Sequence, residues 1–222
     1  MIIIIKHVVK IGGSLFPDYA IDLADKLKNT DSCIILGGGE FANLIRKYND
    51  EQNFSDDVNH WTAIDCMDII AKLVNDKVES CRLAFSLEDV QAISEDGFTP
   101  IFAVSKFLRD EDPFECSWDV TSDSIAAYVA NCLNANLFIV TNVNGIYTQE
   151  PKEPGSTFIS KIDATTLLTF QESSIDVMLP TLLLRYGSDC YVVNGKFPER
   201  VMSLIDNNIN DYNFDYTQII GE

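Results

Sequence analysis

The sequence predicts an α/β protein with a mainly parallel central sheet and helices on both faces. Three observations carry that prediction. Apolar runs of strand length alternate with segments of helical spacing along the whole chain. Two of the first runs end in glycine clusters, Gly12-Gly13 and Gly37-Gly38-Gly39, each at the start of a helical segment. The 222 residues are 46% hydrophobic and 23% charged, enough for one sizeable core in one domain or two tightly joined lobes.

The elements follow in order. Ile2–Ile11 reads as the first strand, with Lys10 at its end. Asp18–Asn29 has helical spacing, with Ala20, Leu23, Ala24 and Leu27 on one face. Cys33–Leu36 is a buried strand, and Phe41–Tyr48 opens a helix after the triple glycine. Val58–Val78 is a long helix with Trp61, Ile64, Met67, Ile70, Ala71 and Val74 as its apolar stripe, which suits a dimer face or plain core packing equally. Arg82–Phe85 and Pro100–Val104 read as strands around a helix at Ser86–Glu95. Arg109-Asp110-Glu111-Asp112-Pro113 reads as a charged loop and a faint boundary. The alternation then resumes, with a helix at Asp123–Leu133 and a strand at Leu137–Thr141. Asn142–Ser160, with Pro151, Pro154 and Gly155, reads as a long functional loop or small hairpin. Short helices follow at Asp163–Phe170 and Pro180–Tyr186, the second with proline in its first turn. Cys190–Val193 is a strand, Pro198–Ile205 a helix and Thr217–Ile220 the last strand.

The formal net charge is −18, which argues against a general nucleic-acid or anionic-membrane surface. Any phosphate site must therefore rely on local cations, helix dipoles and metal. Six cysteines without a C-x-x-C pair read as buried free thiols rather than disulfides or zinc ligands. The apolar start Met1–Ile5 is too short for a signal peptide or a membrane span. A cytoplasmic protein is the expectation.

Several side chains can carry chemistry. Lys10 ends a strand just before Gly12-Gly13-Ser14, where a cation can neutralise a transferring phosphoryl group. Gly37, Gly38 and Gly39 let a ligand lie over the second turn, whose N–H groups favour an anion. Arg46, further along that helix, can reach an anionic acceptor or simply face solvent. Asp119 and Asp123 lie four residues apart and would share a face in a helical turn, with Thr121 or Ser122 as its cap. Two acidic groups there suit a lysine orienter, a magnesium-shell member, an acceptor contact or a capping cluster. Thr141-Asn142-Val143-Asn144-Gly145-Ile146-Tyr147 forms a turn after a parallel strand, which is a nucleotide-binding position or an ordinary turn. His60 can bond a phosphate or play a structural role. Neither a Walker-type loop, a Ser-His-Asp arrangement nor a metal-ligand cluster appears in the sequence.

Taken in order, these segments resemble the amino acid kinase family over nearly the whole chain. The resemblance rests on Lys10-x-Gly12-Gly13-Ser14, Gly37-Gly38-Gly39, Asp123 opening a helix with Ala126-Ala127, and Thr141–Tyr147, which is similar to the family's T-D-V-D-G element. It implies a three-layer α/β/α sandwich and a single domain over residues 1–222. The acceptor would lie over a half of about 1–110, and ATP over a half of about 111–222. It implies in-line transfer of the γ-phosphoryl group with Mg²⁺, a small-molecule phosphate acceptor, and a homodimer or higher homo-oligomer. Lys10 would stabilise the transferring group, and Asp123 would orient that lysine. Gly12, Gly13, Gly38 and Gly39 would donate backbone N–H groups. Thr141, Asn142, Asn144, Gly145 and Tyr147 would fall at the nucleotide. Ser14, Gly37, Arg46, His60 and Asp119 would join the acceptor side.

Two departures stand out. Asn142 and Asn144 replace the aspartates of T-D-V-D-G. Thr181, in Asp176-Val177-Met178-Leu179-Pro180-Thr181, stands where several members carry a second lysine, leaving Mg²⁺, Lys161 or Arg185 to compensate charge. Three further segments are similar to a small methanogen branch: the pattern from His60-Trp61 to Met67-Asp68, Ser117–Asp123, and Val193–Arg200. That branch makes a diphosphate from [5-(aminomethyl)furan-3-yl]methyl phosphate on the route to methanofuran. There Asp65, Asp68 or Asp119 would receive the aminomethyl group, and Trp61 would stack on the furan or the cation. The competing readings are an isopentenyl phosphate kinase, an acetylglutamate-type carboxylate kinase, and a non-catalytic nucleotide-binding storage or regulatory protein.

Overall fold

A computed structural model describes residues 5–170, 174–207 and 213–222. The N-terminal half contains β1 (His7–Ile11), a short 3-10 turn at Gly13–Leu15, α1 (Asp18–Lys26), β2 (Ser32–Leu36), α2 (Gly39–Gln52), α3 (Asp56–Lys77), β3 (Cys81–Ala84), α4 (Leu87–Glu95), β4 (Thr99–Phe102) and α5 (Ser105–Glu111). The C-terminal half contains α6 (Ser122–Leu133), β5 (Asn136–Thr141), β6 (Ile146–Tyr147), β7 (Phe158–Ile159), β8 (Lys161–Asp163), α7 (Ala164–Leu167), α8 (Leu179–Tyr186), β9 (Cys190–Asn194), α9 (Pro198–Ile205) and β10 (Thr217–Ile220).

Eight strands form one sheet in the order β3-β4-β2-β1-β5-β9-β10-β8, and β10 runs antiparallel to β9. The central strands are parallel and their ends are level: Ile11 pairs with Leu36 and Val140, and Thr141 with Asn194. The turns that follow β1, β2, β5 and β9 therefore meet at one edge, where ligands of open α/β sheets collect.

The central strands read as near-continuous apolar runs because both faces are covered. Val8, Leu137, Ile139, Cys190 and Val192 pack toward the layer of α4–α8, while Val9, Ile11, Phe138, Val140 and Val193 pack toward α1 and α9. Helix α3 spans both, giving Ile64 and Met67 to one core and Ile70, Ala71 and Val74 to the other. This is the three-layer sandwich that the alternation and the resemblance predict. Lys10 shares its parity with Val8, so it leaves β1 on the face that α6 covers.

The differences from the sequence reading have local causes. Ile2, Ile3 and Ile4 of the expected first strand lie outside the described residues. The expected charged loop at Arg109–Pro113 is largely the last turns of α5. Its charges are taken up by Lys106–Asp110 at 2.5 Å and Arg109–Asp65 at 2.9 Å, and its first turn is capped from α3, where Asp68 accepts from Ser105 N and Oγ. A cap supplied from 37 residues away leaves no local start signal. The expected helix at Asp163–Phe170 shortens to α7, with Asp163 as its cap through Thr166 N at 2.7 Å. Helix α6 starts at Ser122, so Asp119 precedes it and does not share a helical face with Asp123. Asn142–Ser160 contains the β6–β7 hairpin. The cysteines are free thiols, four of them buried. Among the described residues no helix is long and apolar enough to cross a membrane.

The two glycine turns pack back to back. A Cβ on Gly13 would overlap Gly39 N and Cα, and one on Gly37 would stand 2.7 Å from Gly13 N. Gly39 also takes φ +54°, a left-handed conformation that costs little only for glycine. Gly13→Ala must therefore separate two backbones. It should lower unfolding free energy by about 3 kcal/mol in urea titration. Gly97→Ala, where nothing lies within 4 Å, is the control, with only the cost of its φ of +81°.

Candidate active site

A cavity of about 270 Å³ opens between the two glycine turns, α2, α3 and the segment before α6. Gly13, Ser14, Gly37, Gly38 and Gly39 form one end, and the N-terminus of α2 points its first N–H groups there. Met67, Ile64 and Ile125 supply an apolar floor. Trp118 and Arg46 form a wall together, the guanidinium lying 4.5 Å from the indole centroid. The Trp118 Nε1 donor is buried and has no hydrogen-bond partner. His60 is 4% exposed, and its Nδ1 lies 3.3 Å from the Ser117 carbonyl. A carbonyl only accepts, so Nδ1 carries the proton and Nε2 is left as an acceptor in the neutral ring. Glu40 is the carboxylate on this lining.

Behind the turns lies a buried charge cluster. Lys10 and Asp123 are 7% and 5% exposed, and Nζ lies 2.7 Å from Oδ1. Asp123 stands in the first turn of α6, and its Oδ2 accepts from Asp176 N at 3.1 Å. The Asp176 carboxylate in turn accepts from Thr121 N at 3.0 Å, Thr121 Oγ1 at 2.9 Å, Ser124 N at 3.0 Å, Ser124 Oγ at 2.5 Å and Leu179 N at 2.8 Å. The Asp176 carboxylate thus caps both α6 and α8, while its backbone N–H holds the aspartate paired with Lys10. Burial and the neighbouring Asp123 push the Asp176 carboxyl above its usual range, against the pull of its Ser124 and Thr121 donors.

A second, more polar cavity of about 770 Å³ lies beyond the end of β5. Thr141, Asn142, Gly145 and Tyr147 line it, with Glu150 from the hairpin loop and Phe170 after α7. Lys10, Gly12 and Asp123 are on neither lining. Gly12, its N–H bonded to Val140 O at 2.8 Å, ties the first glycine turn to the end of β5.

Most residues singled out in the sequence meet here. Gly13, Ser14, Gly37, Gly38, Gly39, Arg46 and His60 line the first cavity, and Thr141, Asn142, Gly145 and Tyr147 the second. Lys10, Gly12 and Asp123 lie on neither lining, at the end of β1 and the first turn of α6. Two more stand apart. Asp119 is exposed and outside both linings. Asn144 turns away, its Oδ1 accepting from Asn194 Nδ2 at 3.0 Å and Arg200 at 3.1 Å, and its Nδ2 bonding Asp215 at 3.2 Å. The other expected ammonium partners are also committed, Asp65 to Arg109 and Asp68 to Ser105. Trp61 lies under Arg109 at 4.5 Å, so Trp118 is the indole at the cavity. Arg185, in the last turn of α8, leads into Cys190 at the opposite edge of the sheet, and Lys161 is on β8, beyond β10. Neither stands beside Lys10. Asp176, Trp118, Glu40 and Arg200 were not chosen as site residues from the sequence. For Asp176 a signal existed: a carboxylate three residues before a helix's first turn is an N-cap pattern.

The sequence profile of the amino acid kinase family matches residues 6–194. A curated relative, the [5-(aminomethyl)furan-3-yl]methyl phosphate kinase of Methanocaldococcus jannaschii, is 37% identical over 221 residues, covering 97% of this chain and 98% of its own. The uridylate kinase of Pyrococcus abyssi is 26% identical over 236 residues, covering 90% of this chain and 95% of its own. In fold the chain is similar to the UMP kinase of Ureaplasma parvum, with a TM-score of 0.73, 17% identity and coverage of 98% and 99%. It is likewise similar to the uridylate kinase of Archaeoglobus fulgidus, with a TM-score of 0.70, 18% identity and coverage of 96% and 99%.

Asp176→Ala strips buried N–H groups of α6 and α8 of their acceptor, and should lower unfolding free energy by about 3 kcal/mol. The native carboxyl titrates above its unfolded value, near 3.9. Its contribution to stability is thus greatest below that value and is lost as pH rises through the raised native one. The urea midpoint of Asp176→Ala should vary less than that of the unaltered protein above about pH 4.

Proposed function

The chain belongs to the amino acid kinase family, and on that premise we propose that it transfers the γ-phosphoryl group of ATP to [5-(aminomethyl)furan-3-yl]methyl phosphate, giving the diphosphate used in methanofuran biosynthesis. The observation that carries this reading is the buried Lys10–Asp123 pair at the same end of the sheet as two cavities of contrasting character. The choice of acceptor is supported by 37% identity to the aminomethylfuran phosphate kinase over nearly the whole of both chains.

ATP occupies the polar cavity beyond β5 and directs its phosphates toward Gly12. The acceptor phosphate lies at the first turn of α2, against the N–H groups around Gly13, Gly38 and Gly39. Ser14 and His60 are within that cavity's lining for its polar groups. An acceptor phosphate oxygen attacks the γ-phosphorus as the bond to the ADP oxygen breaks, and Lys10 meets the equatorial oxygens of the transferring group. Asp123 keeps Lys10 aimed. The furan packs against Trp118 on the cavity wall. Glu40 gives the aminomethyl cation a counter-charge.

Among the described residues no group of three or more His, Cys, Asp or Glu side chains is arranged to hold a metal. In this proposal Mg²⁺ comes with the nucleotide phosphates, the ligands this ion commonly takes. A homodimer through α3 belongs to the same proposal, because Ile69 and Leu73 remain 40% and 42% exposed on the side away from the core. A cytoplasmic location completes it.

An ATP-consumption screen tests the reading, with the aminomethylfuran phosphate, isopentenyl phosphate, UMP, acetylglutamate and buffer alone. Turnover is expected with the first; binding of ATP without turnover of any acceptor would sink the kinase assignment. Lys10→Met should lower kcat by about 10³-fold with ATP affinity retained. Trp118→Ala should raise KM for the acceptor by about tenfold and leave KM for ATP unchanged.

A further inference from the structure

A third cavity, of about 550 Å³, lies at the end of the sheet opposite Lys10. It is walled by the start of β1, the turn before β2, the first residues of β5 and β9, and the end of α9. Its lining shares no residue with the two cavities at the catalytic edge. A hollow of this size takes a small molecule. Lys6, His7, Asp31 and Asp206 are the groups on its lining that carry or change charge near neutral pH.

One wall is aromatic. Phe138 stacks on Tyr191 with centroids 5.4 Å apart and planes at 19°, and His7 meets Phe138 edge-on at 5.5 Å. The register makes this row: Val9 pairs with Phe138 and Phe138 with Tyr191, so the rings leave the sheet on the α1 and α9 side. Phe138 is buried between the other two, and His7 and Tyr191 stay partly exposed. The opposite wall is negative. Leu204 and Ile205, the last residues of α9, are on the lining, and the last turn of α9 has no basic residue to offset its negative end. Asp206, the C-cap of α9, is exposed and forms no ion pair among the described residues. The Lys6 ammonium lies 2.8 Å from Asp31, so those two charges offset each other. Burial and Lys6 hold the His7 imidazole below its usual range, against the pull of Asp31 and Asp206, so it adds no positive charge at neutral pH.

The geometry points to this cavity as a second small-molecule site, one that takes an organic ammonium ion with a flat aromatic body. The rings of Tyr191 and His7 give such a body a stacking surface and its charge a π face. Asp206 and the carbonyl end of α9 give the ammonium a negative partner that no protein cation already occupies. An anionic ligand would meet that same wall as repulsion. A bare metal ion lacks its donors, since no group of three or more His, Cys, Asp or Glu is arranged to hold one among the described residues.

The test is equilibrium dialysis of the full chain near neutral pH against benzylamine, its uncharged counterpart benzyl alcohol, and benzoate. We expect saturable binding of benzylamine with a Kd of about 10⁻⁴ M, binding of benzyl alcohol about tenfold weaker, and none of benzoate. Asp206→Asn, at an exposed position, should keep the Tm and weaken benzylamine about tenfold, and Tyr191→Leu should weaken it by a similar factor. Glu40→Gln, in the first cavity, should leave benzylamine binding unchanged. Absence of saturable benzylamine binding overturns the site. So does binding that falls with Glu40→Gln and not with Asp206→Asn, because the amine then sits in the first cavity. Equal affinity for benzyl alcohol overturns the cationic class of ligand. These readouts involve no turnover, so a failure of the kinase assignment leaves them intact.

Discussion

Lys10 is buried at the end of β1 with Asp123 2.7 Å from its ammonium, and much of the molecule is arranged so that this pair can exist. A buried ion pair recovers the desolvation of two charges only when its geometry is fixed and the remaining lone pairs are met. The sheet fixes the lysine. Its residue parity puts the side chain on the α6 face, between the apolar packing of Val8 and the helix that carries its partner. The carboxylate is fixed from a distance. Asp123 depends on Asp176 N, and Asp176 depends on five donors from α6, α8 and the turn before α6. The pair is therefore a junction between β1, α6 and α8.

The same edge carries a second constraint, which is steric. The Gly12-Gly13 and Gly37–Gly39 turns touch through backbone alone, and no side chain fits between them. That contact brings the N-terminus of α2 up to the end of β1. Without it, the helix dipole and free N–H groups of α2 would not face the position over Lys10. The glycines thus do two jobs with one property: they let the turns meet, and they leave backbone donors uncovered toward the cavity.

How far this was legible in the sequence follows from what each feature depends on. The fold was readable because strand parity and helical spacing are local, and because the ordered motifs Lys10–Ser14, Gly37–Gly39, Asp123 and Thr141–Tyr147 sit where they meet. The pairing of Lys10 with Asp123 came from the resemblance, since no spacing rule joins residues 113 positions apart. What escaped were features made by distant partners: α5 capped by Asp68, Asp176 as a shared cap, and Asn144 drawn to Arg200 and Asn194. The choice between Trp61 and Trp118 also escaped. Each carries an arginine at 4.5 Å, and only the fold decides: Trp118, before α6, lines the first cavity and Trp61 does not.

A net charge of −18 would by itself repel two phosphate-bearing ligands, and the structure shows why the totals mislead. Potentials at a cleft depend on charges within about a Debye length, roughly 8 Å at physiological salt, and exposed charges elsewhere are screened. Several exposed lysines are neutralised by neighbours, Lys6 by Asp31, Lys26 by Asp22 and Lys106 by Asp110. At the edge where β1, β2, β5 and β9 end, the pattern changes. Helix α2 presents its positive end, Lys10 is buried rather than exposed, and the wall of the first cavity carries Arg46. The surrounding acidity then has a consequence of its own. It disfavours anions everywhere except where donors are fixed in place, so a phosphate ester finds one favourable address on an otherwise repelling surface.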